Sequence, residues 1–221
     1  MALISSFTAL VAPDVLTCPD PIITREVSSA LIEFCKKTQI LTKELVFDVS
    51  ELTIDENIQD AMDLDISASM TNLQPDSIEE IHVDSLDYIA KKREILSTYT
   101  HWEYIKESLM KYYWFPDSDT IRIYDMATAN SSVYCKLVCK PTRTTSTVDD
   151  RLFEDWSEAI AAGAKYKILA MPGKEWTDPQ AAQFYRSLWR KYLSEAKSET
   201  LRNAPGEMHQ VNPVDFETGV T

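Results

Sequence analysis

Five carboxylates in the first half of the chain, Asp60, Asp63, Asp65, Glu79 and Glu80, have the types and spacing best suited to chemistry. In Asp63-Leu64-Asp65, strand alternation puts both carboxylates on one face. Hard oxygen ligands of this kind hold a divalent cation, and a cation so held can activate water. A metal-dependent hydrolase using Asp63 and Asp65 is therefore one reading. The other is a solvated acidic strand face, favoured because the stretch lacks the glycine and fixed ligand spacing of a calcium loop. Cys135 and Cys139 also share a strand face, but a zinc site needs two more ligands, and His82, His101 and His209 are scattered. Four cysteines in 221 residues are too few for a disulfide framework and fit a reducing compartment. There is no Ser-His-Asp order, Walker sequence or HExxH helix. The expectation is no enzyme, no metal and no cofactor.

These residues must be positioned by an α+β chain. Apolar residues at Ile23, Val27, Ala30, Leu31, Phe34 and Cys35 fall at helical spacing and predict a helix over 20–41, with Asp20 as cap and Pro21 in the first turn. Short, partly alternating runs begin at Leu45, Met62, Ile78, Lys111, Thr120 and Val133 and predict an antiparallel β-rich region over 44–140. Within it, 86–109 is ambiguous, and Tyr99–Met110 reads as one short helix. Tyr112, Tyr113, Trp114 and Phe115 are expected as sheet core rather than a ligand-stacking platform. A second helix is predicted over 149–171, opened by a capping box at Thr147–Asp150 and stopped by Met171-Pro172-Gly173. Gly163, in the run Ala161–Ala164, implies a close helix approach. Asp178 caps a third helix over 178–203, with Pro179 in its first turn. Ala181, Phe184, Leu188, Tyr192 and Ala196 line one face of it, broadened by Ala182, Tyr185 and Trp189. Trp156, Trp176, Tyr185, Trp189 and Tyr192 are the candidate docking residues on these helices. The expected division is a helical bundle body at 1–43 and 141–203, an inserted acidic region at 44–140, and an extended tail at 204–221.

Residues 1–12 are apolar without a preceding positive region, so the expectation is a helix packed on the body rather than a leader. No run is long enough to predict a membrane span. The net charge of −13 is unevenly placed: 13 Asp or Glu and no Lys or Arg lie between Glu44 and Ala90. Such a segment disfavours phosphate contacts and suits a cation, a basic partner, or a surface that repels nucleic acid.

Four phrases resemble those of tailed-bacteriophage head-to-tail adaptor (neck or connector) proteins. Pro19–Thr38, with its Glu33-Phe34-Cys35 ending, resembles their opening helix. Val138-Cys-Lys-Pro141 resembles the strand before their C-terminal hairpin. Asp155-Trp-Ser-Glu-Ala-Ile-Ala-Ala-Gly-Ala164 and Leu169-Ala-Met-Pro-Gly-Lys-Glu-Trp-Thr-Asp-Pro-Gln-Ala-Ala182 are similar to the hairpin phrases themselves. The least similar stretch is 44–110. The resemblance implies a non-enzymatic virion protein at the head-tail junction, assembled in the host cytoplasm. It implies a ring of roughly a dozen copies through which DNA passes without sequence-specific binding. Its partners would be the portal protein and a downstream tail or nozzle protein. The tail, with Val211, Val214 and Phe216, would insert into the portal. The acidic segment fits this role if it faces the channel, where a negative lumen lets DNA pass, and the sequence equally allows an outer acidic face. A soluble interaction module outside any virion is the further alternative.

Overall fold

Punctuating residues decide where the helical body begins and ends. Pro19 caps α2 (Asp20–Thr38), and Pro21 sits in the first turn, where its missing amide hydrogen is no loss. Asp20 is already helical and makes no side-chain cap, one position from its expected role. Gln39 adopts φ 56°, and its amide donates to the Cys35 carbonyl at 2.9 Å. That left-handed cap stops the helix at Thr38 rather than 41. The computed structural model describes residues 1–49, 61–83, 86–92, 110–124 and 131–203.

The chain is α+β. It opens with β1 (Ala2–Leu3) and α1 (Ile4–Val11), which precede α2. The β-rich part comprises β2 (Thr42–Val49), β3 (Ala61–Asp65), β4 (Leu73–Val83), β5 (Leu86–Lys92), β6 (Met110–Trp114), β7 (Thr120–Tyr124) and β8 (Ser131–Pro141). Then come β9 (Thr147–Val148), α3 (Asp150–Leu169) and α4 (Pro179–Asn203). The expected short helix within 99–110 lies outside the described residues.

The seven strands run in the order β2-β8-β4-β5-β6-β7-β3. One pair departs from the antiparallel expectation: β5 and β6 are parallel. Parallel neighbours cannot be joined by a tight turn, and residues 93–109 separate the two strands in sequence. Residues Leu86–Tyr88 pair with β4 and Ile89–Lys92 with β6, so β5 passes from one group of strands to the other. The two groups share a core: Leu45, Ile81, Cys135 and Leu137 cluster with Leu64, Tyr113, Ile121 and Ile123. Tyr113 is buried there, and its hydroxyl accepts from the Ile78 amide at 3.1 Å. Phe115 packs edge-on against it, whereas the side chains of Tyr112 and Trp114 lie outside the described residues.

A second core belongs to the helices. Phe34 of α2 meets Trp156 of α3 at 5.5 Å and Trp189 of α4 at 5.7 Å between ring centroids. Phe7 of α1 packs edge-on against Phe153 at 5.0 Å, so the apolar N-terminal residues do fold onto the body. β1 pairs with β9, placing Leu3 opposite Thr147. Thr147 is therefore a strand residue, not the expected cap. Asp149 takes that role, its Oδ1 accepting from the Arg151 amide at 2.9 Å. The β-rich part leaves and rejoins the body at adjacent points, since the Cys139 amide donates to the Leu41 carbonyl at 2.8 Å.

The hairpin of α3 and α4 depends on one missing side chain. A Cβ on Gly163 would lie 2.8 Å from Cε3 and Cζ3 of Trp189. The glycine lets the indole come against the α3 backbone at a distance that a Cβ would block, the close helix approach expected at this position. At the elbow, Gly173 takes φ 70°. The Thr177 hydroxyl donates to the Met171 carbonyl, and the Asp178 amide donates to the Leu169 carbonyl at 3.1 Å. Asp178 Oδ1 then accepts from the Gln180 and Ala181 amides at 3.0 Å each, which is the expected cap.

Candidate functional site

Four of the acidic residues singled out for chemistry, Asp63, Asp65, Glu79 and Glu80, are already engaged. Both guanidinium bonds from Arg122 to Asp63, through Nε and Nη2, are 2.6 Å long, the bidentate geometry of a structural ion pair. Cross-strand register explains the match, because Asp63 stands opposite Arg122. Asp65 instead accepts from the Ser67 amide at 2.8 Å, and these Ser67 hydrogen bonds hold its carboxyl below the usual range. On the neighbouring strands, Glu79 and Glu80 lie 3.1 and 3.5 Å from Lys136 Nζ, and Asp76 lies 2.9 Å from Lys140. Burial works against the charge on Lys136, but Glu79 and Glu80 outweigh it and raise its pKa. Among the described residues, no three His, Cys, Asp or Glu converge as a metal site would require. Asp60 lies outside them.

The same pairing changes the meaning of the acidic segment. Its sequence holds no base, yet in space Arg122, Lys136 and Lys140 are delivered to it by β7 and β8. The expected negative face is thus partly neutralised, at Asp63, Asp76, Glu79 and Glu80.

The thiols are packing groups. All four cysteines are buried and free. Burial pushes Cys35 and Cys135 up to about 12 and Cys139 up to about 11, so these thiols stay protonated at neutral pH.

The candidate docking residues divide. Trp156 and Trp189, at 8% and 3% exposure, are inside the chain's own core, which corrects the expectation that they face a neighbour. Trp176 is half-buried at the elbow and packs against the helical core. Tyr185 and Tyr192 lie at the rim, donating to Asp14 at 3.2 Å and Glu158 at 3.1 Å. The tail residues Val211, Val214 and Phe216 lie outside the described residues. The buried line of α4 is Ala182, Trp189 and Ala196, at seven-residue spacing. Phe184, expected on the inner face, is 63% exposed, because it falls well off that line.

Two features of the surface escaped the sequence reading. Arg186 and Arg190, one turn apart on α4, line a groove of ≈370 Å³ with Tyr166, Thr177, Gln183 and Ser187. The Arg186 guanidinium lies 5.8 Å from the Tyr166 ring centroid. Neither arginine has a carboxylate within ion-pair distance among the described residues. At the β6–β7 turn, Asp117 accepts from the Asp119 amide at 2.8 Å, and the Ile66 amide donates to the Asp119 carbonyl at 2.8 Å. Asp65, Asp117 and Asp119 thus form an exposed acidic tip with no basic partner among the described residues. The signal in the sequence was the Arg-x-x-x-Arg spacing, which only the phase of the helix could place outside.

No described helix is long and apolar enough to cross a membrane. No protein-family model matches the chain, and no curated protein matches it either.

Proposed function

We propose that the chain is a structural subunit of a bacteriophage neck. It is a head-to-tail adaptor that forms a ring of roughly a dozen copies between the portal and the next tail component, around the DNA path. The observation supporting this reading is where the adaptor-like phrases fall. Asp155–Ala164 contains the Gly163 seat for Trp189, and Leu169–Ala182 is the hydrogen-bonded elbow. The shared phrases are thus joints that set the angle of a helical wall. A subunit whose task is to hold a shape needs such joints. The bidentate Asp63–Arg122 pair speaks against the hydrolase reading, because it occupies the carboxylate that would hold the cation.

The deciding experiment mixes the purified protein with candidate portal rings for electron microscopy. The expected result is a stacked ring on one portal face, at the head-tail junction of the virion. Removal of residues 204–221 should leave the helical signal intact and weaken portal attachment about tenfold or more. Absence of any ring or portal complex, or a hydrolase activity lost in Asp63→Asn, would overturn the reading.

A further inference from the structure

We propose that the outer face of α4, marked by Arg186 and Arg190, is the surface on which a second copy of this chain docks its acidic β6–β7 tip. The inference rests on the ring reading and identifies its subunit contact. Copies carrying −13 each repel one another, so stable association needs a local match of opposite charge. Many of the chain's bases cannot supply it. Lys165 is held by Asp14, Lys167 by Glu33, Arg151 by Glu199, and Arg122, Lys136 and Lys140 by the β-strand acids.

Among the described residues Arg186 and Arg190 pair with no carboxylate, and they are close enough to act together. Their planar forks suit carboxylates, and the Tyr166 ring beneath Arg186 holds one of them in place. On the other side, Asp117 and Asp119 are held in a hydrogen-bonded turn, with Asp65 beside them through the Ile66 bond. The tip is therefore a preorganised anionic knob. Tip and groove are different patches of one chain, so the contact is head-to-tail. Head-to-tail contacts close into rings when the rotation permits. Two arginines beside a tyrosine would also suit a phosphate backbone. The strongly negative chain favours the protein partner.

Sedimentation of the full chain over a concentration series, at low and high salt, tests this. Arg186→Glu with Arg190→Glu should weaken self-association at least tenfold, as should Asp117→Lys with Asp119→Lys. Mixing the two variants should restore association, because each supplies the surface the other lacks. Added salt should weaken the wild type. All four positions are exposed, and circular dichroism checks that the variants fold; Arg→Gln and Asp→Asn versions replace any that do not. Association unchanged by either variant, or no recovery on mixing, would overturn the inference while leaving the ring reading standing. So would wild-type assembly by the arginine variant together with lost binding to a duplex DNA probe. A wild type that stays monomeric both alone and with portal would overturn both.

Discussion

The helical body and the β-rich part of this chain are held by different forces. The body is held by shape: an indole laid on a glycine, two more rings beside it, and an elbow closed by backbone hydrogen bonds. The β-rich part has an apolar core too, but its outer surface is ordered by charge, with acids of β3 and β4 opposite bases of β7 and β8. Close packing is intolerant of volume and indifferent to salt, whereas part-exposed ion pairs are tolerant of volume and screened by salt. The two parts should therefore fail differently.

The largest effect belongs to the body. Trp189→Ala should cost about 3–5 kcal/mol, read from denaturant midpoints, because it empties the space where α2, α3 and α4 meet. Gly163→Ala should cost about 1–3 kcal/mol by forcing the same indole away, and less in a Trp189→Phe background. Equal costs in both backgrounds would break the shape argument.

Next comes Lys136→Met, which leaves Glu79 and Glu80 side by side without their base. A loss of about 1–3 kcal/mol is expected, smaller at high salt, while the Gly163→Ala loss should not change with salt. A salt-independent Lys136→Met would erase the contrast.

The smallest effects are in pH. The Lys165 hydrogen bond holds Asp14 low; burial pulls Glu33 up, but Lys167 and Lys37 outweigh it and hold it low as well. Their folded values lie below the unfolded ones. Their contribution is present at neutral pH and is lost as pH falls below about 4.5. The buried thiols have the opposite sign. Their folded values of about 11 to 12 exceed the unfolded 9.0, so the unfolded chain loses protons first and stability falls as pH rises above 9.0. Unfolding midpoints across pH should decline on both sides. Cys135→Ala with Cys139→Ala should flatten only the alkaline limb.

The legible parts of the sequence were those where a local rule met no competitor. Strand alternation put Cys135 and Cys139 on one face, which proves to be the buried one, helical spacing marked α2, and the Asp178-Pro179 cap appeared where its chemistry required. Thr147 misled because strand pairing with Leu3 won over capping, a contact across most of the chain that no window contains. Phe184 misled because several apolar stripes fit α4, and only packing against Gly163 chooses the one through Trp189. The acidic segment misled most: its partners are strand neighbours far away in sequence, so a count of charge along the chain could not find them.

The hydrogen bond between Leu41 and Cys139 has a consequence for how the body can form. Contacts of α2 with α3 and α4 must close a loop of about a hundred residues, and an unstructured loop that long carries a closure penalty that grows with the logarithm of its length. Pairing β2 with β8 brings the two ends of that loop together in advance. The β-rich part can then act as a folded clasp, and the helical core should collapse faster once the clasp has shut. By the same geometry, a short turn from Leu41 to Pro141 is the natural graft point for a miniature of the body alone.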